Sequence, residues 1–365
     1  MVFFVIIAFL VLIGAIMMYT FYLGLILIVL FILLSYIIAT IIINKSFKRM
    51  DFIKPNESIS YDDIKDDYSR TEYAFKSKGK KLKGYLYKKN EEDKLIIYVH
   101  GMCPGHQAYL SDIISFLNRG YNVFTYDFRA TGESQGKRYC GLNQQYFDLK
   151  SAIKFLKDNN VFGYKKIYLY GHSMGGYAVA CVVDPIISSV VSISGFDSPI
   201  EELISVFSKG KSKFITNLAR IMISIKYFID QLLKYNIKAH RALNGSSLYT
   251  LIIHGIDDEL VPFKTQSIIS KRNLIYNKRI RYLEINDPMH SGHNSIIASK
   301  ECVKYQQEKI DIYNKIYKET KSHAKAKEKM LEDFDPFKFN EANEELMEII
   351  DKFYQEHTKS SIIIK

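Results

Sequence analysis

Ile167-Tyr168-Leu169-Tyr170-Gly171-His172-Ser173-Met174-Gly175-Gly176-Tyr177-Ala178-Val179-Ala180 passes from an apolar, aromatic stretch through Gly-x-Ser-x-Gly into a run of small residues. The first part predicts a buried strand, and the last a helix able to pack closely on a sheet. A sharp strand-to-helix turn at a serine is a nucleophile elbow. It forces the serine backbone into a strained conformation, and Gly171 and Gly175 omit side chains that would collide where strand and helix nearly touch. The Ser173 hydroxyl is then exposed at the top of the sheet, above the free N–H groups of a helix N-terminus. An ordinary Gly/Ser turn shares the five-residue pattern. The strand before it and the helix after it favour the reactive serine.

Outward from this turn, strands and helices alternate. Residues 68–76 and 82–87 predict an antiparallel pair joined at Gly79. Leu95-Ile96-Ile97-Tyr98-Val99-His100-Gly101 is a continuous apolar run, as in a strand buried on both faces. Further strands are expected at 121–126, 187–194, 248–254 and 280–285, with helices at 107–118, 144–159 and near 263–271. This order predicts an α/β fold with a mostly parallel central sheet flanked by helices. The core occupies residues 68–196 and 246–299. Between them, residues 197–245 are helical, basic and amphipathic (200–208, 214–219, 223–235). That is longer than one crossover needs, so they are read as a helical cap over the site. Residues 300–343 form a charged helical insertion broken around Pro336, and 344–365 a C-terminal helix and tail.

Composition sets the outer limits. The 365 residues suffice for one large α/β domain with additions. The net charge of +11 comes from dispersed lysines, which favour an anionic membrane surface or anionic substrates. No nucleic-acid motif accompanies it, so no nucleic-acid partner is expected. Cys103, Cys140, Cys181 and Cys302 form no CxxC pair, which speaks against a disulfide framework or a metal site. No cofactor is expected.

Residues 2–43 are apolar throughout and carry no charge. As one helix they would extend about 65 Å, against a hydrocarbon core of about 30 Å. Two spans fit better, at 2–18 and 22–43 with a turn over 19–24, giving residues 1–44 as a transmembrane helical hairpin. The stretch is too long, and lacks the basic start, for a cleaved signal peptide. Lys45, Lys48 and Arg49 follow it and predict a cytoplasmic location for the rest of the chain, at the plasma membrane in a bacterial cell. Residues 45–67 read as a linker.

A serine hydroxyl needs a base to remove its proton, and the base needs an orienting acid. The strand after the cap ends in His254-Gly255-Ile256-Asp257-Asp258, at the sheet edge that carries the elbow. Asp258 is the preferred acid and Asp257 the runner-up; capping the following helix is the competing role. The next strand leads to Met289-His290-Ser291-Gly292-His293. His293 is the preferred base and His290 the runner-up, with position past the strand end as the guide. Backbone N–H groups of Met174 and Met102 would form the oxyanion hole. His100 and His254 read as hydrogen-bonded struts and His172 as a packing residue, while His106 and His240 have no partner visible in the sequence. Asp127, Arg129, Gly132 and Ser134 read as a structural turn, and Asp148 as structural.

These motifs together resemble the α/β-hydrolases, in the serine aminopeptidase and monoglyceride-lipase-like branch. The matching pieces are Leu82-Lys83-Gly84-Tyr85, His100-Gly101, Asp127-Phe128-Arg129 through Gly132-Glu133-Ser134, Gly171-His172-Ser173-Met174-Gly175-Gly176, His254-Gly255 with Asp258 and Val261-Pro262, and Gly292-His293. The resemblance covers residues 68–295. It implies the α/β-hydrolase fold and a Ser-His-Asp triad, and favours Asp258 and His293 over their neighbours. Ala130, where the family has glycine, and the 300–343 insertion depart from it. The motifs do not specify a substrate; the expected activity is a membrane-anchored serine hydrolase of esters, lipase-like, and the apolar N-terminus with the amphipathic cap points to acylglycerols or lysolipids. Peptide or amide hydrolysis is the alternative, with Glu201-Glu202 to hold an amine. A catalytically silent, membrane-tethered binding module is the third reading.

Overall fold

The structure, a computed structural model, describes residues 1–51, 57–139, 141–159, 163–231 and 236–358. Cys140, the end of the expected 223–235 helix, part of the linker and the tail beyond 358 lie outside these residues. Eight strands form one sheet: β1 (Ser69–Ser77), β2 (Lys80–Lys88), β3 (Lys94–Val99), β4 (Asn122–Tyr126), β5 (Lys166–His172), β6 (Ile187–Ile193), β7 (Tyr249–Gly255) and β8 (Ile280–Ile285). Their order is β1-β2-β4-β3-β5-β6-β7-β8. The β1–β2 and β2–β4 pairs are antiparallel and the others parallel. The central strands are rich in β-branched and aromatic residues because both faces are covered.

The helices are α1 (Val2–Ser46), α2 (Leu110–Asn118), α3 (Gln144–Asp158), α4 (Met174–Cys181), α5 (Pro199–Ser208), α6 (Lys213–Gln231), α7 (Ala239–Asn244), α8 (Lys300–Thr320), α9 (His323–Met330), α10 (Pro336–Phe339) and α11 (Glu344–Glu356). Leu149, Ile153, Ala178 and Leu243 build a core on one sheet face, from α3, α4 and α7. Ile113, Phe116, Ile350 and Tyr354 build another, from α2 and α11. The second is layered with tyrosines whose hydroxyls find partners, as burial requires. Tyr98 and Tyr170 both donate to Asp112 Oδ2, at 2.7 and 3.1 Å. Burial raises the Asp112 carboxyl to about 7, against the lowering effect of those two bonds.

Several expectations are revised. The apolar N-terminus is one continuous 45-residue helix, not a hairpin turning at 19–24. Nothing in that stretch breaks a helix: there is no proline, and Gly14 and Gly24 stand singly. The 45–67 segment is not a loose linker where it is described. Ile59 and Ile64 are buried, and Tyr61 N donates to Gln107 Oε1 at 2.9 Å. Arg49 docks the end of α1 by donating to the Ser134 carbonyl at 2.6 Å. Within residues 197–245, the expected 214–219 and 223–235 helices merge into α6, since Arg220-Ile221-Met222 contains no breaker. The helix expected near 263–271 is a turn followed by a 3₁₀ segment, Ile269–Leu274.

The elbow is held by close backbone approach. A methyl added at Gly175 would stand 1.9 Å from the Val99 carbonyl oxygen, and one at Gly171 2.4 Å from the Gly175 oxygen. Neither neighbour is a side chain that could swing away. Gly175→Ala is therefore expected to destabilise the protein by about 3 kcal/mol or more. The control is Gly245→Ala, whose nearest new neighbour would be 3.6 Å away. Thermal unfolding of the two variants should separate them clearly.

Candidate active site

The strand β5 ends at His172, and α4 begins at Met174. Ser173 joins them with φ 58° and ψ −119°. A non-glycine residue in that region is strained, and such strain persists only where the surroundings enforce it. The Gly171 and Gly175 contacts do so. Ser173 is half-buried within otherwise buried neighbours, so its hydroxyl reaches the surface of the site.

Two loops at the same sheet edge meet it. The loop after β7 carries Asp258 and the loop after β8 carries His293. His293 Nε2 lies 2.9 Å from Ser173 Oγ. Its Nδ1 lies 2.9 and 2.8 Å from the two Asp258 carboxylate oxygens. With Nδ1–H donating to Asp258, Nε2 is left to accept from the serine. The structure thus joins the preferred residues in one hydrogen-bonded chain. It does not join the runners-up: Asp257 accepts from Ser291 Oγ at 2.7 Å, and His290 Nδ1 faces the Ser295 carbonyl at 3.1 Å.

The neighbours fix these three groups. Asp258 Oδ1 accepts from the N–H groups of Leu260 and Val261 at 3.0 and 2.7 Å, and Oδ2 lies 3.1 Å from His254 Nε2. Burial pushes the Asp258 carboxyl up, but hydrogen bonds from His254 and His293, and their charge, hold it well below its ordinary value. His254 is the strut expected. His172 Nε2 donates to the His293 carbonyl at 2.9 Å, while Tyr109 donates to its Nδ1 at 2.9 Å. Burial, with the His293 charge, lowers His172 to about 3, so this ring is a neutral brace behind the His293 loop. His100 is also neutral, lowered by burial to about 4.

Met174 is the first residue of α4, so its N–H has no acceptor within the helix. Met102 follows Gly101, where an added Cβ would be 3.2 Å from the Ser173 Cβ. Gly101 therefore lies against the serine, with Met102 next along the chain and its side chain exposed. A cleft of about 380 Å³ is lined by Met102, Tyr109 and Asn294 and, from residues 300–343, by Ile310 and Phe339.

Sequence reasoning missed two long-range pairs. His106 Nδ1 and N both donate to Asp127 Oδ1, at 2.8 and 2.9 Å. Asp127, not Arg129, ties the 127–134 turn to the loop after β3. His240 donates likewise to Asp197, just after β6, at 2.9 Å. Asp148 accepts from Gln144 at 2.8 Å and from Arg129 N at 3.0 Å, the structural part expected of it.

The acidic pair on α5 is divided. Glu201 is paired with Arg220 at 2.9 Å on the surface. Glu202 is buried with Oε2 unpartnered, and burial, then the Asp258 charge, raises its carboxyl to about 8. Its folded value exceeds the ordinary value near 4.5, so folding is penalised progressively as pH rises from about 4.5 to about 8. Glu202→Gln is expected to stabilise the protein by roughly 1–3 kcal/mol at pH 8 and hardly at all at pH 4.5. Thermal unfolding at the two pH values tests this; an equal shift at both would contradict it.

The chain is similar to several known proteins. Residues 90–190 match the family model described as serine aminopeptidase, S33. The lysophosphatidylserine lipase ABHD12 of Danio rerio is 23% identical over 56% of this chain and 55% of its own length. A thiohydrolase of Arthrinium phaeospermum is 31% identical over 31% of this chain and 38% of its own. The chain spans about half the length of the curated relatives it matches, or less. Among solved structures, an esterase of Pyrococcus furiosus superposes with a TM-score of 0.52 at 21% identity, covering 74% of this chain and 98% of that one. The fold is that of the α/β-hydrolases.

Proposed function

Starting from an α/β-hydrolase fold related to the S33 serine aminopeptidases, we propose that this protein is a membrane-anchored serine hydrolase of carboxylic esters. The observation that carries the reading is the chain Ser173 Oγ, His293 Nε2, His293 Nδ1, Asp258, with every link within 3 Å. Ser173 Oγ attacks the ester carbonyl carbon and passes its proton to His293 Nε2. The carbonyl electrons move to oxygen, where the N–H groups of Met102 and Met174 receive the charge. The C–O bond breaks, the alcohol leaves with the proton from Nε2, and the acyl group stays on Ser173. Water then gives a proton to Nε2 and attacks the acyl carbon. The acid departs, and the proton returns to Ser173. Asp258 holds the His293 ring and stabilises its cation.

In this reading residues 1–44 are the anchor, 197–245 the cap over the site, and 300–343 a wall of the substrate cleft. The exposed apolar surface of α1 supports the anchor, since water does not tolerate so long an apolar helix. Proximity to a bilayer and the lysophospholipid specificity in the relative's name support acylglycerols or lysolipids as substrates. Lys45, Lys48 and Arg49 at the end of α1 support a cytoplasmic domain. Peptide hydrolysis is disfavoured because Glu201 is paired and Glu202 is buried, so these two carboxylates are not free to hold an amine together.

A substrate panel tests the assignment. Full-length protein in detergent should hydrolyse acyl esters of graded chain length and lysophospholipids, and leave aminoacyl amides intact. Faster cleavage of the amides would reverse the choice.

A further inference from the structure

The chain carries a net charge of +11, yet the cleft of about 380 Å³ is acidic. Residues of α2 and of the loop after β3 line it together with residues of α8 and α10 from the insertion. Asp112 and Glu341 are its charged side chains, and among the described residues no lysine, arginine or histidine lines it. Walls of one sign concentrate ions of the other in such a space.

Asp112 points to a ligand. It is 4% exposed, and its Oδ2 accepts from both Tyr98 and Tyr170. Its Oδ1 accepts no hydrogen bond from the described residues and is not sealed from solvent. Because Asp112 lines the cleft, the open oxygen faces it. A carboxylate oxygen in so buried a residue calls for a partner. Tyr109 and Phe339 share the lining, and aromatic faces also attract cations. Such walls suit an alkylammonium rather than a hard metal ion, which requires a shell of roughly six or more oxygen ligands.

The cleft adjoins the nucleophile. A Cβ at Gly101 would be 2.6 Å from the Tyr109 hydroxyl and 3.2 Å from the Ser173 Cβ, so a lining residue and the serine flank the same glycine. Asn294, the residue after His293, lines the cleft as well.

We propose that this cleft is a cation subsite, which takes an organic ammonium group on the alcohol side of the ester with the Asp112 carboxylate as its main partner. The inference rests on the reading of the protein as an ester hydrolase. The alcohol side is assigned because His293 gives its proton to the leaving alcohol, and the cleft begins at the next residue.

Two matched substrates test it: the choline ester and the uncharged 3,3-dimethylbutyl ester of the acyl chain that the full-length protein in detergent cleaves best. Measurement at pH 8 keeps Asp112 ionised, since burial raises its carboxyl only to about 7. The kcat/KM for the choline ester should exceed that for its carbon isostere at least about tenfold. Asp112→Asn still accepts from the tyrosines, and Ile310→Lys adds a positive charge at a lining residue that is 46% exposed. Each should bring the ratio to about one. Equal rates on the two esters in the unmutated protein, or a ratio that survives either substitution in a folded variant, overturns the subsite and leaves the ester hydrolase standing. If neither ester is cleaved, the ester-hydrolase reading and the inference fail together.

Discussion

Ser173→Ala is expected to lower kcat for ester hydrolysis by about 10⁴–10⁶-fold. The substitution removes the oxygen that forms the bond to the acyl group, and His293 then has no proton to take from it. Little else changes. Alanine keeps the Cβ that Ser173 holds at φ 58°, so the backbone strain at the elbow is the same in both proteins. The backbone donors of Met102 and Met174 also remain. Substrate affinity should stay within a few-fold, and thermal unfolding should shift little. Steady-state kinetics on a chromogenic acyl ester measure the effect. A loss below about tenfold would mean that another group carries the attack.

Asp258→Asn has the next largest expected effect, a fall in kcat of about 10⁴-fold. The carboxylate accepts the Nδ1–H of His293 in two contacts, at 2.9 and 2.8 Å, and so leaves Nε2 free for Ser173. An amide offers an N–H on one side, which favours the ring tautomer with its proton on Nε2, where it opposes the serine. Asp257→Asn is the control, because the Asp257 carboxylate accepts from Ser291 Oγ in the loop after β8 and not from His293; its kcat should stay within about threefold. The pH profile carries a further sign. The Asp258 carboxyl is held below its ordinary value near 3.9, so its contribution to stability is present above that pH and is lost as pH falls below it. No loss of activity between pH 5 and 8 should therefore trace to protonation of Asp258.

The eight strands and the elbow were legible because each rests on a local pattern: an apolar run, a turn residue, a glycine where backbone must approach backbone. Asp258 and His293 were legible for a related reason, since a strand end fixes where the next few residues stand. What was not legible depends on partners far along the chain. His106 meets Asp127, His240 meets Asp197, and His172 braces His293, and no spacing in the sequence announces these pairs. The continuity of α1 was not legible because bilayer thickness was used to divide an apolar run that contains no helix breaker. The burial of Ile59 and Ile64 was hidden by the acidic residues around them. Glu202 looked like half of an amine-binding pair until its burial separated it from Glu201.

The central claim is that Ser173 is the activated nucleophile of an acyl-enzyme. Its most direct measurement is treatment of the full-length protein with a fluorophosphonate, followed by peptide mass spectrometry. The account predicts one phosphonyl adduct, on Ser173, that is lost in His293→Ala. An unmodified Ser173, or an adduct on a different residue, would contradict it.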